Sequence, residues 1–175
     1  DEVRELLDTL RRIIERSVKH LEDVLRDLKR IIDKLREDNR RVLEENRRRL
    51  EELDKLRKEG TDKEELKRRL DEVHKESRDI HRDTRRRLKE VLDRVKEVAK
   101  RNREENDKAT DDVRKAGLPE EFLRDVERLA EESRRRLEAV EREVERLITE
   151  AEKESKKSLD EVERLNRELK ERLKK

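Results

Sequence analysis

The three histidines are the side chains most able to do chemistry, because imidazole binds metal ions and exchanges protons near neutral pH. His74 and His81 are seven positions apart, so they share one face of a helix. Zinc would need a third and a fourth ligand from His, Cys or carboxylate, and the chain has no cysteine. The remaining histidine, His20, is expected roughly 40 Å away by helical rise. The sequence therefore predicts hydrogen-bonding histidines, with no catalytic, cofactor or metal site.

Three arginine triplets are the residues to test for phosphate or nucleic-acid binding. They are Arg47–Arg49, Arg85–Arg87 and Arg134–Arg136. Each triplet has acidic neighbours, and folding places the triplets at different levels, so no continuous basic track is expected. The 53 basic and 51 acidic residues give a net charge of +2, which offers no general attraction to nucleic acid or acidic membranes. No glycine-rich phosphate loop, catalytic triad or pair of inward carboxylates is found, so we predict no enzyme activity.

The elements that must position these side chains are long helices. Charged residues make up 59% of the chain, yet the apolar residues fall on one face throughout, which favours helix over disorder. Inward residues recur every 18 positions, as in Leu7, Leu25 and Leu43. Eighteen residues are five turns of about 3.6 residues, so this period predicts nearly straight helices. A heptad pattern fails at Asp38 and Arg49.

Two breaks divide the chain into three such helices. Gly60 and Gly117 suit the left-handed position after a helix, and Pro119 suits the first turn of the next helix. Both connections are short, so successive helices run antiparallel. We predict an all-α fold, an antiparallel up-down-up three-helix bundle of nearly straight helices, each of about 55 residues. The predicted bounds are about 2–59, 62–116 and 119–174, in a single domain spanning 1–175.

Uncharged polar residues interrupt the apolar rows, and folding the chain at its turns gathers them into shared levels. The first level combines Asn46, His74, Ser77 and Ser158; the second combines Asn39, His81, Thr84 and Ser155; the third combines Ser17, His20, Asn102, Asn106 and Ser133. A smaller contact is expected between Thr9 and Thr110. A buried polar group without a partner costs about 1–3 kcal/mol, so gathered groups satisfy one another and penalise any other register. The alternative is that several of them face water at the edge of the stripe, above all His20, Thr9 and Thr149.

These features together resemble one class of protein. Matched helix lengths, acidic helix starts, basic helix ends, a single Phe and the Gly-Leu-Pro-Glu-Glu turn at 117–121 are similar to computationally designed helical bundles. In particular, the chain is similar to parametrically generated three-helix bundles with built-in hydrogen-bond networks. This resemblance implies no natural substrate and a role as a scaffold or a test of design. Leu118 departs from the usual polar cap before Pro119 and is expected to pack as an apolar seal.

The predicted function is therefore structural, with a monomer favoured, a homo-oligomer open and no cofactor or partner required. The alternative is an interaction module that self-associates or accepts a further helix in a groove, since the apolar stripe of about seven residues in 18 nearly suffices for four helices. A lipid-surface protein would need interfacial aromatics, and Phe122 is the only one. The handedness of the bundle, its cellular location and its intended use stay open.

Overall fold

The computed structural model describes residues 2–175, and these form three long helices with no strand among them. Helix α1 spans Glu2–Lys58, α2 spans Lys63–Arg114 and α3 spans Glu120–Lys174. They contain 57, 52 and 55 residues, so the predicted all-α fold with three helices of about 55 residues is confirmed. Acidic residues occupy the first turn of each helix and basic residues the last, which complements the helix dipole.

The two glycines end the helices as the sequence predicts. Gly60 has φ of 86° and Gly117 has φ of 71°, in the left-handed region where residues with a Cβ are strained. At the first turn the Thr61 amide donates to the Leu56 carbonyl at 3.1 Å, which satisfies a carbonyl that the helix itself leaves unpaired. At the second turn Leu118 is buried. A hydrophobic residue therefore closes this connection where a polar cap is more usual.

The chain packs as two compact units, and each unit contains a segment of all three helices. The first unit comprises α1 up to Arg30 together with Glu90–Leu147. Its core is aliphatic, and its largest fully buried side chains are Leu10, Val18, Leu21, Leu28, Val95 and Leu137.

The second unit comprises Ile31–Lys89 and Ile148–Lys175. Its hydrophobic core is built from Leu43, Leu50, Leu53, Leu66, Leu70, Val73, Val162, Leu169 and Leu173. Within this unit Asn39 pairs with Thr84 and Asn46 with Ser77, so positions rise along α1 as they fall along α2. The two helices are therefore antiparallel, as predicted.

Burial along each helix follows the 18-residue period. In α1 the row Leu7, Leu25, Leu43 is buried throughout, and in α3 the row Val126, Val144, Val162 is likewise buried. Ile31, which a heptad pattern would turn inward, is 40% exposed. The five-turn repeat thus describes the inward face better than the seven-residue repeat does. Among residues 2–175 no helix has a stretch apolar and long enough to cross a membrane.

Candidate hydrogen-bonding sites in the core

One group of polar residues in the second unit links all three helices. The Asn39 amide Nδ2 donates to Thr84 Oγ1 at 3.0 Å, which joins α1 to α2. One turn earlier on α2, His81 Nδ1 lies 2.7 Å from Ser155 Oγ on α3. All four side chains are buried. The four residues that the sequence places at this level therefore come together, as two separate hydrogen bonds.

The second polar group in this unit is centred on Asn46. Its Nδ2 donates to Ser77 Oγ at 2.8 Å, and its Oδ1 accepts from Arg49 Nη1 at 3.2 Å. Arg49 in turn pairs with Glu76. Because both ends of the amide have partners, Asn46 carries no desolvation penalty from an unmade hydrogen bond.

His74 and Ser158 do not join the Asn46 group, which corrects the predicted level. His74 is half-buried, and its Nε2 lies 3.6 Å from Glu163 Oε1 on α3. Ser158 is half-buried and lines a groove between α1 and α3. Both residues lie at the predicted height along the bundle. Their angular positions on the helices, however, place their side chains at the edge of the core rather than inside it.

The predicted level in the first unit is assembled only in part. Asn106 Nδ2 donates to Ser133 Oγ at 2.7 Å, which joins α2 to α3. Asn102 Nδ2 donates to the backbone carbonyl of Ser17 at 3.1 Å. The Ser17 hydroxyl and Asn106 Oδ1 are buried without a hydrogen-bond partner among the protein's atoms. His20 is exposed, so its predicted place in this level is wrong.

Thr9 and Thr110, which were predicted to contact each other, both donate their hydroxyl hydrogen bonds within their own helices. Thr9 Oγ1 donates to the Glu5 carbonyl at 2.8 Å, and Thr110 Oγ1 donates to the Asn106 carbonyl at 2.7 Å. Each hydroxyl thus bonds the carbonyl four residues earlier in its own helix, which is the usual local option for threonine. Thr9 and Thr149 are exposed, as the alternative interpretation of the stripe edge expected.

Asn166 is a buried polar residue that the sequence-based levels omitted. Its Nδ2 donates to the Leu70 carbonyl at 2.7 Å within the second unit. The signal was present in the sequence, because Asn166 shares an 18-residue row with Ala130 and Ile148, which are also buried.

Burial keeps His81 neutral. Desolvation lowers the pKa of His81 below its usual value, and the charges of Arg85 and Lys156 lower it further against the opposing influence of Asp160 and Glu152. A neutral imidazole leaves one ring nitrogen as an acceptor, so Nδ1 can accept from the Ser155 hydroxyl.

The pairing of His81 with Ser155 has the composition of a nucleophile and its base. Ser155 is only 2% exposed, however, so a substrate could not reach its oxygen. Among the described residues, no group of three or more His, Cys, Asp or Glu side chains could hold a metal ion. The geometry therefore supports hydrogen bonding at this pair.

Ion pairs surround a groove between α1 and α3 in the second unit. Glu154 binds both Arg36 and Arg40, and the hydrogen bond from Arg40 lowers the Glu154 pKa. One heptad further on, Arg47 Nη1 lies 3.2 Å from Glu161 Oε1. The groove between these pairs has a volume of about 370 Å³, and its lining includes Leu43, Ser158 and Val162.

No family model and no curated protein matches the chain. A solved structure described as a computationally designed three helix bundle is similar, with 17% identity and a TM-score of 0.39. The match covers 99% of this chain and 86% of that chain. The architecture of the present chain is established by its own helices and contacts.

Proposed function

We propose that the chain is a structural scaffold of the kind produced by computational design, a monomer whose buried polar pairs select one helix register. The observation that supports this most directly is the set of side-chain bonds in the second unit. Asn46 bonds Ser77, Asn39 bonds Thr84 and His81 bonds Ser155, so each partner is a specific side chain on another helix.

The apolar rows alone would select the register weakly. Buried apolar residues recur every three or four positions along each helix, so sliding one helix by a turn of about 5.4 Å brings apolar residues against apolar residues again. The same slide separates each polar pair and leaves buried groups unpaired, at about 1–3 kcal/mol for each group. The polar pairs are therefore the features that distinguish one alignment from its neighbours.

The chemistry of the buried groups fits a structural role. His81 is held neutral by burial, and its partner Ser155 is closed to solvent. The arginine triplets contribute to local ion pairs, such as that of Arg86 with Asp83 at 2.7 Å. Such exposed pairs add only about 0.3–0.5 kcal/mol each.

The test replaces one polar pair by apolar residues and measures both stability and register. Asn46→Leu with Ser77→Ala removes both members of the pair, so neither is left buried without a partner. The free energy of unfolding is therefore expected to rise by about 1 kcal/mol. Nitroxide labels at exposed positions 34 and 68, which lie about 30 Å apart along the helix axes, report register by pulsed electron resonance, and the chain has no cysteine to interfere. We expect one narrow distance in the parent and a second distance, displaced by about 5 Å, in the variant.

Thr110→Val is the matched control, because Thr110 is buried but its hydroxyl bonds its own helix. This variant should keep the single narrow distance. If the Asn46→Leu, Ser77→Ala variant also keeps it, the polar pair does not select the register and the proposal fails.

A partner-binding module is the second candidate, favoured by the groove between α1 and α3. Its apolar lining is small, and the Arg40–Glu154 and Arg47–Glu161 pairs cross it. A further helix would have to break both pairs to enter. Light scattering coupled to chromatography is expected to give the mass of one chain. A dimer mass that returns to one chain in Ser158→Glu, which changes a half-buried residue of the groove lining, would support the groove instead.

A further inference from the structure

Two polar atoms in the core of the first unit have no hydrogen-bond partner among the protein's atoms. They are Ser17 Oγ and Asn106 Oδ1, on residues that are each 4% exposed. An amide oxygen can only accept, so Asn106 needs a donor that the neighbouring side chains do not supply. Buried polar groups in folded proteins are nearly always paired, either with protein atoms or with ordered water.

A matched asparagine in the second unit shows what is missing. Asn46 and Asn106 each donate from Nδ2 to a serine on the following helix, Ser77 and Ser133. Three residues after Asn46 stands Arg49, which donates to Asn46 Oδ1 at 3.2 Å. Three residues after Asn106 stands an alanine, Ala109, which has no donor in its side chain. The two sites thus differ by one hydrogen-bond donor.

The two unpartnered atoms belong to one neighbourhood. Asn102 stands one turn before Asn106 on α2 and donates to the Ser17 carbonyl at 3.1 Å. One turn of helix is about 5.4 Å, so Ser17 and Asn106 lie near the same level of the core. A buried water molecule requires two to four polar partners. The Ser17 hydroxyl and the Asn106 amide oxygen supply two such partners, which is the minimum number.

We propose that a buried water molecule binds in the first unit, where it donates to Asn106 Oδ1 and hydrogen-bonds Ser17 Oγ. This water donates a hydrogen bond to the amide oxygen of Asn106, as Arg49 donates one to the amide oxygen of Asn46. The inference is independent of the proposed register function, because water binding can be measured whether or not the polar pairs select an alignment.

The test detects the water directly by nuclear Overhauser effects between water and protein protons. In the parent chain we expect cross-peaks of slow-exchange sign to the Asn106 side-chain amide protons and to the Ser17 β protons. Ala109→Arg supplies a guanidinium at the position that Arg49 occupies beside Asn46, and both positions are half-buried. We expect this variant to lose the cross-peaks to Asn106.

The reciprocal variant, Arg49→Ala, removes the donor from Asn46 and is expected to create water cross-peaks at the Asn46 amide. If Ala109→Arg does not fold, a high-resolution crystal structure of the parent makes the same decision, with a water oxygen expected within hydrogen-bond distance of both atoms. A parent chain without slow water contacts at Asn106, or a crystal structure that is dry there, overturns the proposal. Persistent Asn106 cross-peaks in a folded Ala109→Arg variant also overturn it.

Discussion

The two units place polar residues in their cores in different ways. In the second unit Asn39, Asn46 and His81 each bond a side chain on another helix, and Asn166 bonds the backbone of Leu70. In the first unit Asn106 bonds a side chain on another helix, whereas Asn102 bonds the backbone of Ser17. A helix presents a carbonyl at every residue, so a bond to backbone can be remade after a slide, but a bond to one side chain cannot. We infer that information about register is concentrated in the second unit.

Ion pairs between α1 and α3 recur 18 residues apart, so the same surface position can be compared in the two units. Glu22 pairs with Arg136 in the first unit, and 18 residues later Arg40 pairs with Glu154 with the charges exchanged. Val140 is buried in the first unit, and Ser158 takes the equivalent place in the second. The groove of the second unit therefore lies where a valine is replaced by a smaller, polar residue.

The largest effect is expected when a polar residue is moved into the first unit without its partner. Leu28 and Val95 stand 18 residues from Asn46 and Ser77, and both are fully buried. Leu28→Asn should lower the free energy of unfolding by about 4 kcal/mol, from lost apolar burial and an unpaired amide. Chemical denaturation measures this loss.

Adding Val95→Ser to Leu28→Asn recreates the asparagine–serine pair in the first unit. The free energy of unfolding of this double variant should be about 1 kcal/mol higher than the sum of the two single losses predicts. Strict additivity of the two substitutions would mean that the pair geometry of the second unit does not transfer to the first.

Filling the groove of the second unit should have a smaller effect. Ser158→Val restores the side chain that the first unit has at Val140, and we expect a gain of about 1 kcal/mol from apolar burial. Val140→Ser is the matched control and should cost about 1–2 kcal/mol, because it opens the corresponding place in the first unit. Equal and negligible changes at both positions would show that the groove does not depend on this residue.

Burial of His81 should make the stability of the fold depend on pH. The pKa of His81 is lowered in the folded protein, so near and below its ordinary value of about 6.5 the unfolded chain binds more protons than the folded chain. The contribution of neutral His81 is therefore complete above pH of about 6.5 and declines as the pH falls toward the folded pKa.

Thermal melts between pH 7.5 and 5 should show this decline in the parent chain and a weaker one in His81→Gln. His20→Gln changes an exposed histidine and should retain the parental slope. A parental slope in His81→Gln would assign the pH dependence to other groups.

Much of the fold was predictable because its signals are local. Gly60 and Gly117 mark the turns, and the 18-residue rows mark the buried face. The polar levels were harder to predict, because height and bearing are separate quantities. Height follows from the rise of about 1.5 Å per residue, whereas adjacent residues differ by about 100° in bearing. His74 follows the buried Val73, and His20 precedes the buried Leu21, so each histidine misses the core by a single position.

Hydrogen-bond partners were predictable only where side chains had no local option. The hydroxyls of Thr9 and Thr110 reach carbonyls in their own helices, which pre-empts a contact with each other. Asn46 and Asn39 bond serine and threonine hydroxyls on the neighbouring helix at the predicted level. Asn166 bonds backbone, and no pattern of side chains identifies a backbone acceptor.

Double-mutant cycles on two asparagines test the central claim most directly. For Asn46→Ala with Ser77→Ala we predict a coupling free energy of about 1–2 kcal/mol, because the hydrogen bond joins the two side chains. For Asn102→Ala with Ser17→Ala we predict a coupling below about 0.3 kcal/mol, because the Ser17 carbonyl remains after substitution. Equal couplings at the two sites would contradict the claim that the second unit holds the information that fixes register.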